Sequence, residues 1–269
     1  MDFLSRFILI FFLCPGVCLT VEVRQSPSDI ITKPGDKVQV FCSHNETDYR
    51  QMFWYQRSPG DTAMKLIGYL RYNDATMEET YKGLFNITGK LGGDEKKNGS
   101  LNLQSVEASD SAVYFCAVLF DIKRQCCANY EAYFGQGTKL TVLENDLEVT
   151  PPTNVKILPP SPNECRNQKD KKRKKTLVCV ASGFYPDHVE VLWKTNGKEA
   201  KDGVATDSAA KRVDKFYRIT SRLRVPAEDY NTASNTFTCI VSFFDGEKKI
   251  LREASINGTQ GISFWSIEI

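Results

Sequence analysis

Asp110-Ser111-Ala112-Val113-Tyr114-Phe115-Cys116 closes a spacing that opens at Cys42 and passes through Trp54. The same order of cysteine, tryptophan and cysteine recurs at Cys179, Trp193 and Cys239. A tryptophan 12 or 14 residues beyond the first cysteine, with the closing cysteine far downstream, fits two sheets stapled face to face around an indole. Two such units in tandem make the chain all-β, each unit with an inter-sheet disulfide. Function then belongs to loops at the sandwich ends.

The flanking residues carry the strand period. Val38, Val40 and Cys42 alternate on one strand, Phe53, Trp54 and Tyr55 mark the next, and Ala112, Tyr114 and Cys116 alternate on a late one. Ser58-Pro59-Gly60-Asp61 is a turn signal between strands. Residues 19–143 read as one domain, and the polar stretch 144–152, ending in Pro151-Pro152, reads as a linker. Strands at 155–158, 176–182, 189–194, 216–225, 236–243 and 248–252 form a second domain over 153–258. Pro226 ends one of them and Asn196-Gly197 makes a tight turn.

Residues 1–18 read as a secretory signal: Arg6 precedes an apolar run at 7–13, too short to span a bilayer, and Gly16 and Cys18 suit cleavage. Seven of the nine cysteines lie beyond it, and an oxidising compartment favours disulfides for the two long-range pairs. Each closes a loop of 60 residues or more, worth roughly 4 kcal/mol on a chain-entropy basis. Four sequons, at Asn45, Asn86, Asn98 and Asn257, mark glycosylation sites. The protein is therefore expected outside the cell or at the plasma membrane. Nothing after the signal has the length of a spanning helix, and 259–269 reads as a short non-membrane tail.

A net charge of +2 and a pI near 8.0 give no case for nucleic acid as a partner. The basic run at 169–175 reads as a solvated turn before a strand. Catalytic candidates are scarce: His44 falls in a loop and His188 at a strand start, with no nucleophile and acid beside either. No phosphate-cradling glycine loop and no metal-ligand spacing appears, so no enzyme activity, cofactor or metal is expected. Cys126 and Cys127 adjoin in a loop without histidine, and neighbouring cysteines bridge only through a strained ring. Cys165 is an odd thiol, either free or bonded to another polypeptide.

Residues 110–116 resemble the ending of immunoglobulin-type variable domains, with Tyr114 in the place of the tyrosine corner and Asp110 as a carboxylate whose basic partner is read as Lys82. Phe134-Gly135-Gln136-Gly137-Thr138, followed by 139–143, resembles a joining segment whose glycines permit a bulge. That pair of motifs implies a loop assembled by gene rearrangement. The run 176–190, with Asp187-His188-Val189-Glu190, then Trp193 and Asn196-Gly197-Lys198-Glu199, resembles the T-cell receptor beta constant domain. The resemblance covers roughly 21–261 and implies a V-type domain followed by a C1-type domain.

On that resemblance, three loops at about 44–51, 69–76 and 117–133 bind peptide held by major histocompatibility molecules, without catalysis. The contact residues it implies are Asn45, Thr47, Asp48, Tyr49 and Arg50 in the first loop, Arg71, Tyr72 and Asn73 in the second, and Leu119, Phe120, Lys123, Arg124 and Tyr130 in the third. Tyr55, Arg57 and Phe134 face a T-cell receptor alpha chain, and signalling subunits join if the full-length form is anchored. The family usually places glutamine three residues after the buried tryptophan; here that position is Arg57, and Gln56 precedes it. Strand alternation puts Tyr55 and Arg57 on one face and Gln56 on the other. The family's connecting cysteine and membrane helix do not follow Gly261, which fits either a truncated clone or a released form. An antibody light-chain-like subunit and a non-rearranging adhesion or immune receptor of the same superfamily are the alternatives.

Overall fold

A computed structural model describes residues 21–93, 96–119, 132–165 and 173–259. The expected signal at 1–18, the tail at 260–269, Cys126, Cys127 and most of the basic run lie outside the described residues.

Among the described residues, eleven strands build the first domain: β1 (Arg24–Ser26), β2 (Asp29–Thr32), β3 (Val38–His44), β4 (Gln51–Arg57), β5 (Lys65–Arg71), β6 (Asp74–Met77), β7 (Phe85–Lys90), β8 (Lys97–Leu103), β9 (Ala112–Leu119), β10 (Ala132–Phe134) and β11 (Thr138–Val142). One sheet runs β1-β3-β8-β7; the other runs β2-β11-β9-β4-β5-β6, with β10 also on β9. Pairing is antiparallel except for β2 beside β11. The strands form where the period-2 pattern allows: β3 and β4 alternate buried and more exposed residues along their length. Val40, Cys42, Trp54, Leu101, Tyr114 and Cys116 meet in a core closed by the Cys42–Cys116 disulfide, with sulfurs 2.06 Å apart.

The second domain holds β12 (Asn154–Leu158), β13 (Lys174–Phe184), β14 (Val189–Thr195), β15 (Lys198–Ala200), β16 (Val204–Thr206), β17 (Lys211–Val213), β18 (Phe216–Pro226), β19 (Thr236–Phe244) and β20 (Lys249–Asn257). Its sheets run β12-β13-β18-β16, with β17 also on β18, and β15-β14-β19-β20. Trp193 is fully buried and donates from Nε1 to Ser221 Oγ at 2.9 Å, beside the Cys179–Cys239 disulfide at 2.01 Å. Fully burying one indole or aliphatic side chain is worth about 1.5–3 kcal/mol, so each caged tryptophan with its neighbours outweighs any surface contact in the domain.

The domains join through side chains as well as through the connecting segment. The His188 ring is buried, with Nδ1 3.0 Å from Asp29 Oδ1 and Nε2 2.6 Å from Thr141 Oγ1. Lys139 donates from Nζ to the Asp187 carbonyl, Arg212 pairs with Glu144, and the Tyr185 hydroxyl accepts from the Glu144 amide at 2.9 Å. Burial lowers the His188 pKa while the Asp29 carboxylate pulls against it. A cleft of 710 Å³ lies along the join, with Arg57, Pro59, Lys139, Tyr185 and Ser208 among its walls.

Candidate recognition loops and pairing face

The Gln51 end of β4 carries the loops, and the Arg57 end faces the second domain across the cleft. The first loop, between β3 and β4, is tied to the β5–β6 hairpin by a hydrogen bond from Tyr72 N to Arg50 O at 3.0 Å. Tyr72 has a φ of 55°, which lets two residues turn the hairpin between the paired Arg71 and Asp74. The Arg50 guanidinium lies 5.6 Å from the centre of the Tyr72 ring, and its Nε donates to Thr47 O. Tyr49 and Tyr133 meet edge to face at 5.8 Å, so the first loop packs against the stem of the third.

Of the expected contact residues, Asn45, Thr47, Asp48, Arg71 and Asn73 are assigned to the loop surface by the sequence, and the structure leaves Asn45, Thr47, Asp48, Arg71 and Asn73 exposed, whereas Tyr49, Arg50, Tyr72 and Leu119 are half-buried. Tyr49 packs on the core cluster, which makes it a support for the loops. Phe120, Lys123, Arg124 and Tyr130 lie outside the described residues. Of the sequon asparagines, Asn86 and Asn98 are exposed on the outer face of the β1-β3-β8-β7 sheet; Asn45 is exposed in the first loop and Asn257 at the end of β20.

The loop position read for His44 is corrected by the structure, where it ends β3 and, with Lys97, forms a buried pair beneath these loops. His44 and Lys97 are register partners on β3 and β8; His44 is 2% exposed and Lys97 0%. The Lys97 ammonium donates to Gly93 O, while neither His44 ring nitrogen has a hydrogen-bond partner among the described residues. Desolvation, reinforced by the Lys97 charge, lowers the His44 pKa to about 4. The signal was present: counting from Cys42 by two reaches His44, and from Leu101 by four reaches Lys97.

On the outer face, β4 presents Phe53, Tyr55 and Arg57. Phe53 stacks on Tyr69 at 5.3 Å, Tyr55 tilts against Phe134 at 6.0 Å, and the Arg57 guanidinium sits 4.9 Å from the Phe115 ring centre. Phe134 is 48% exposed, which leaves an aromatic surface open. Gln56 points inward as the alternation requires; its Oε1 accepts from Tyr81 Oη at 2.9 Å and its Nε2 donates to Tyr114 Oη at 3.2 Å. The tyrosine corner is present, with Tyr114 Oη donating to Asp110 O at 2.7 Å. The Lys82 partner read for Asp110 is not there. Lys82 pairs with Glu79, and the Asp110 carboxylate turns back to accept from the Glu107 amide at 2.8 Å, capping its own 3-10 turn.

Residues 25–143 match the immunoglobulin V-set domain and residues 155–244 the immunoglobulin C1-set domain, so the protein is a tandem V-set and C1-set molecule. A viral T-cell receptor beta chain-like protein of feline leukemia virus is 36% identical over 241 residues, covering 86% of this chain and 71% of that one. The C region of the mouse T-cell receptor beta-2 chain is 44% identical over 99 residues, 36% of this sequence and 55% of its own length. The crystal structure of a chicken T-cell receptor superposes with a TM-score of 0.66 at 33% identity, covering 88% of this chain and all of that one. The protein belongs to the T-cell receptor beta chain family.

Proposed function

We propose that this protein is the antigen-recognition subunit of an alpha-beta T-cell receptor, reading peptide presented by major histocompatibility molecules and performing no chemistry. The single observation that carries the reading is the convergence of the loops: the Tyr72–Arg50 backbone bond and the Tyr49–Tyr133 contact gather three loops at the end of the first domain away from the second. Exposed Asn45, Thr47, Asp48, Arg71 and Asn73 supply adaptable polar contacts, and the third loop supplies Leu119, Phe120, Lys123, Arg124 and Tyr130 as the apolar and cationic anchors such surfaces use.

Tyr55, Arg57 and Phe134 receive the variable domain of an alpha chain. The protein works outside the cell or at its surface, with residues 19–143 for recognition, 144–152 as connector and 153–258 as the constant-type domain, and signalling subunits join if the full-length form is anchored. Glycans at Asn86 and Asn98 cover the sheet opposite the pairing face; a glycan carried at Asn45 would shift antigen contact from the first loop to the other two. No helix among the described residues is long and apolar enough to cross a membrane.

Co-expression with T-cell receptor alpha ectodomains from the same source tests the reading. Recovery of a heterodimer that binds a presented peptide supports it. Assembly with an antibody heavy chain or with itself instead would overturn the partner assignment.

A further inference from the structure

The strands that build the pairing face have a one-sided charge pattern. β4, β5, β9, β10 and β11 carry Arg57, Lys65, Arg71 and Lys139 and contain no aspartate or glutamate. Lys65 lies 3.7 Å from Asp61 in the adjoining turn, and Lys139 is committed to the Asp187 carbonyl of the second domain. Arg57 has neither kind of partner: among the described residues no carboxylate or carbonyl takes a hydrogen bond from it, and its guanidinium rests on the Phe115 ring at 4.9 Å. Val113 links it in register to Lys139, and Lys139 in turn to Asp29 of β2, whose carboxylate is taken by His188 and Ser28, so Arg57 is the end of this row left without a counterion.

From this geometry we infer that Arg57 sets pairing specificity: it selects a partner variable-type domain that presents a carboxylate opposite it, and rejects a second copy of this chain. The inference rests on the pairing face assigned above and adds the chemistry of the partner. Stacking on Phe115 holds the guanidinium plane while leaving its N–H donors unsatisfied. Covering those donors with an apolar or cationic surface leaves a buried charge without a counterion, the costly case. A side-chain amide accepts one bond and leaves the charge. A carboxylate accepts two in parallel and neutralises it.

The remainder of the face excludes the alternatives. Gln56, the amide nearest in sequence, is held inside by Tyr81 and Tyr114 and is not available to a partner. An isologous dimer presents the same patch from both sides. Built on this face, it brings two Arg57 side chains into one interface, with no carboxylate on β4, β5, β9, β10 or β11 to receive them.

The test measures affinity for an alpha ectodomain from the same source at low and high salt, using the wild-type protein, Arg57→Gln and Arg57→Glu, each checked for an unchanged thermal melt. Arg57→Gln is expected to bind about tenfold more weakly and to lose most of the salt dependence, and Arg57→Glu to bind about a hundredfold or more weakly. Changing the facing carboxylate of the recovered partner to lysine should restore binding to Arg57→Glu. If all three proteins bind one alpha partner alike, the carboxylate requirement is overturned while the pairing role stands. If the wild type pairs with no alpha chain, the pairing role itself fails. A wild-type homodimer at micromolar concentration that buries Arg57 also overturns the inference.

Discussion

Burial keeps His44 neutral. With a pKa lowered from 6.5 to about 4, the folded state binds fewer protons than the unfolded state between those values, so stability is held above pH 6.5 and falls as the pH drops toward 4. At pH 5 the loss amounts to about 2 kcal/mol for this one group. Denaturant titrations at pH 7.5 and pH 5 should show it, and His44→Leu should remove that part of the acid sensitivity. Lys97→Met, which replaces a buried ammonium with an apolar side chain of similar reach, should stabilise the domain by about 1 kcal/mol and move the His44 titration upward by NMR. Tyr114→Phe removes the donor to Asp110 O and orphans the Gln56 amide, a loss of about 1–3 kcal/mol in the same titrations. The inward side of Gln56 and the role of Tyr114 were legible from alternation and spacing. The partner of Asp110 was not, because a carboxylate three residues from a free amide caps its own turn in preference to reaching across to an exposed lysine.

Between β10 and β11 the backbone takes four steps, Phe134 to Thr138, while β9 takes three, Ala117 to Tyr114, so one residue is extra and the ladder bulges. The sequence announced this bulge through Gly135 and Gly137, since Gly137 adopts a φ of +90°. A Cβ there would stand 2.7 Å from the Phe115 ring, the same ring that supports Arg57. Gly137→Ala should therefore cost about 1–3 kcal/mol of stability and also weaken alpha-chain pairing, measured by melting and by affinity together. The split of the first strand was hidden from sequence reading. β1 joins one sheet beside β3 and β2 the other, in parallel with β11, and nothing local to β2 names a partner more than a hundred residues away.

The two-domain plan followed from two cysteine pairs and their tryptophans, and the gathering of the loops at one end followed from the family resemblance. How the domains meet did not, because Asp29, Thr141 and His188 come together only after both sandwiches have formed. Their contact centres on the buried His188 ring, flanked by half-buried Asp29 and Thr141, and truncating the ring removes the link between them. His188→Ala should separate a coupled unfolding transition into two, seen by calorimetry, with the first domain melting earlier. Arg212→Ala, at a half-exposed ion pair, should move the transition by less than about 1 kcal/mol. The join also has a mechanical side. Lys139 and Thr141 on β11 grip Asp187 and His188, and β11 continues by register through β9 to β4, whose far end carries the first loop. A pull on a loop held by a bound surface thus travels along stiff strands and arrives at the second domain as torque, so the molecule behaves less like two beads on a string than like a bracket.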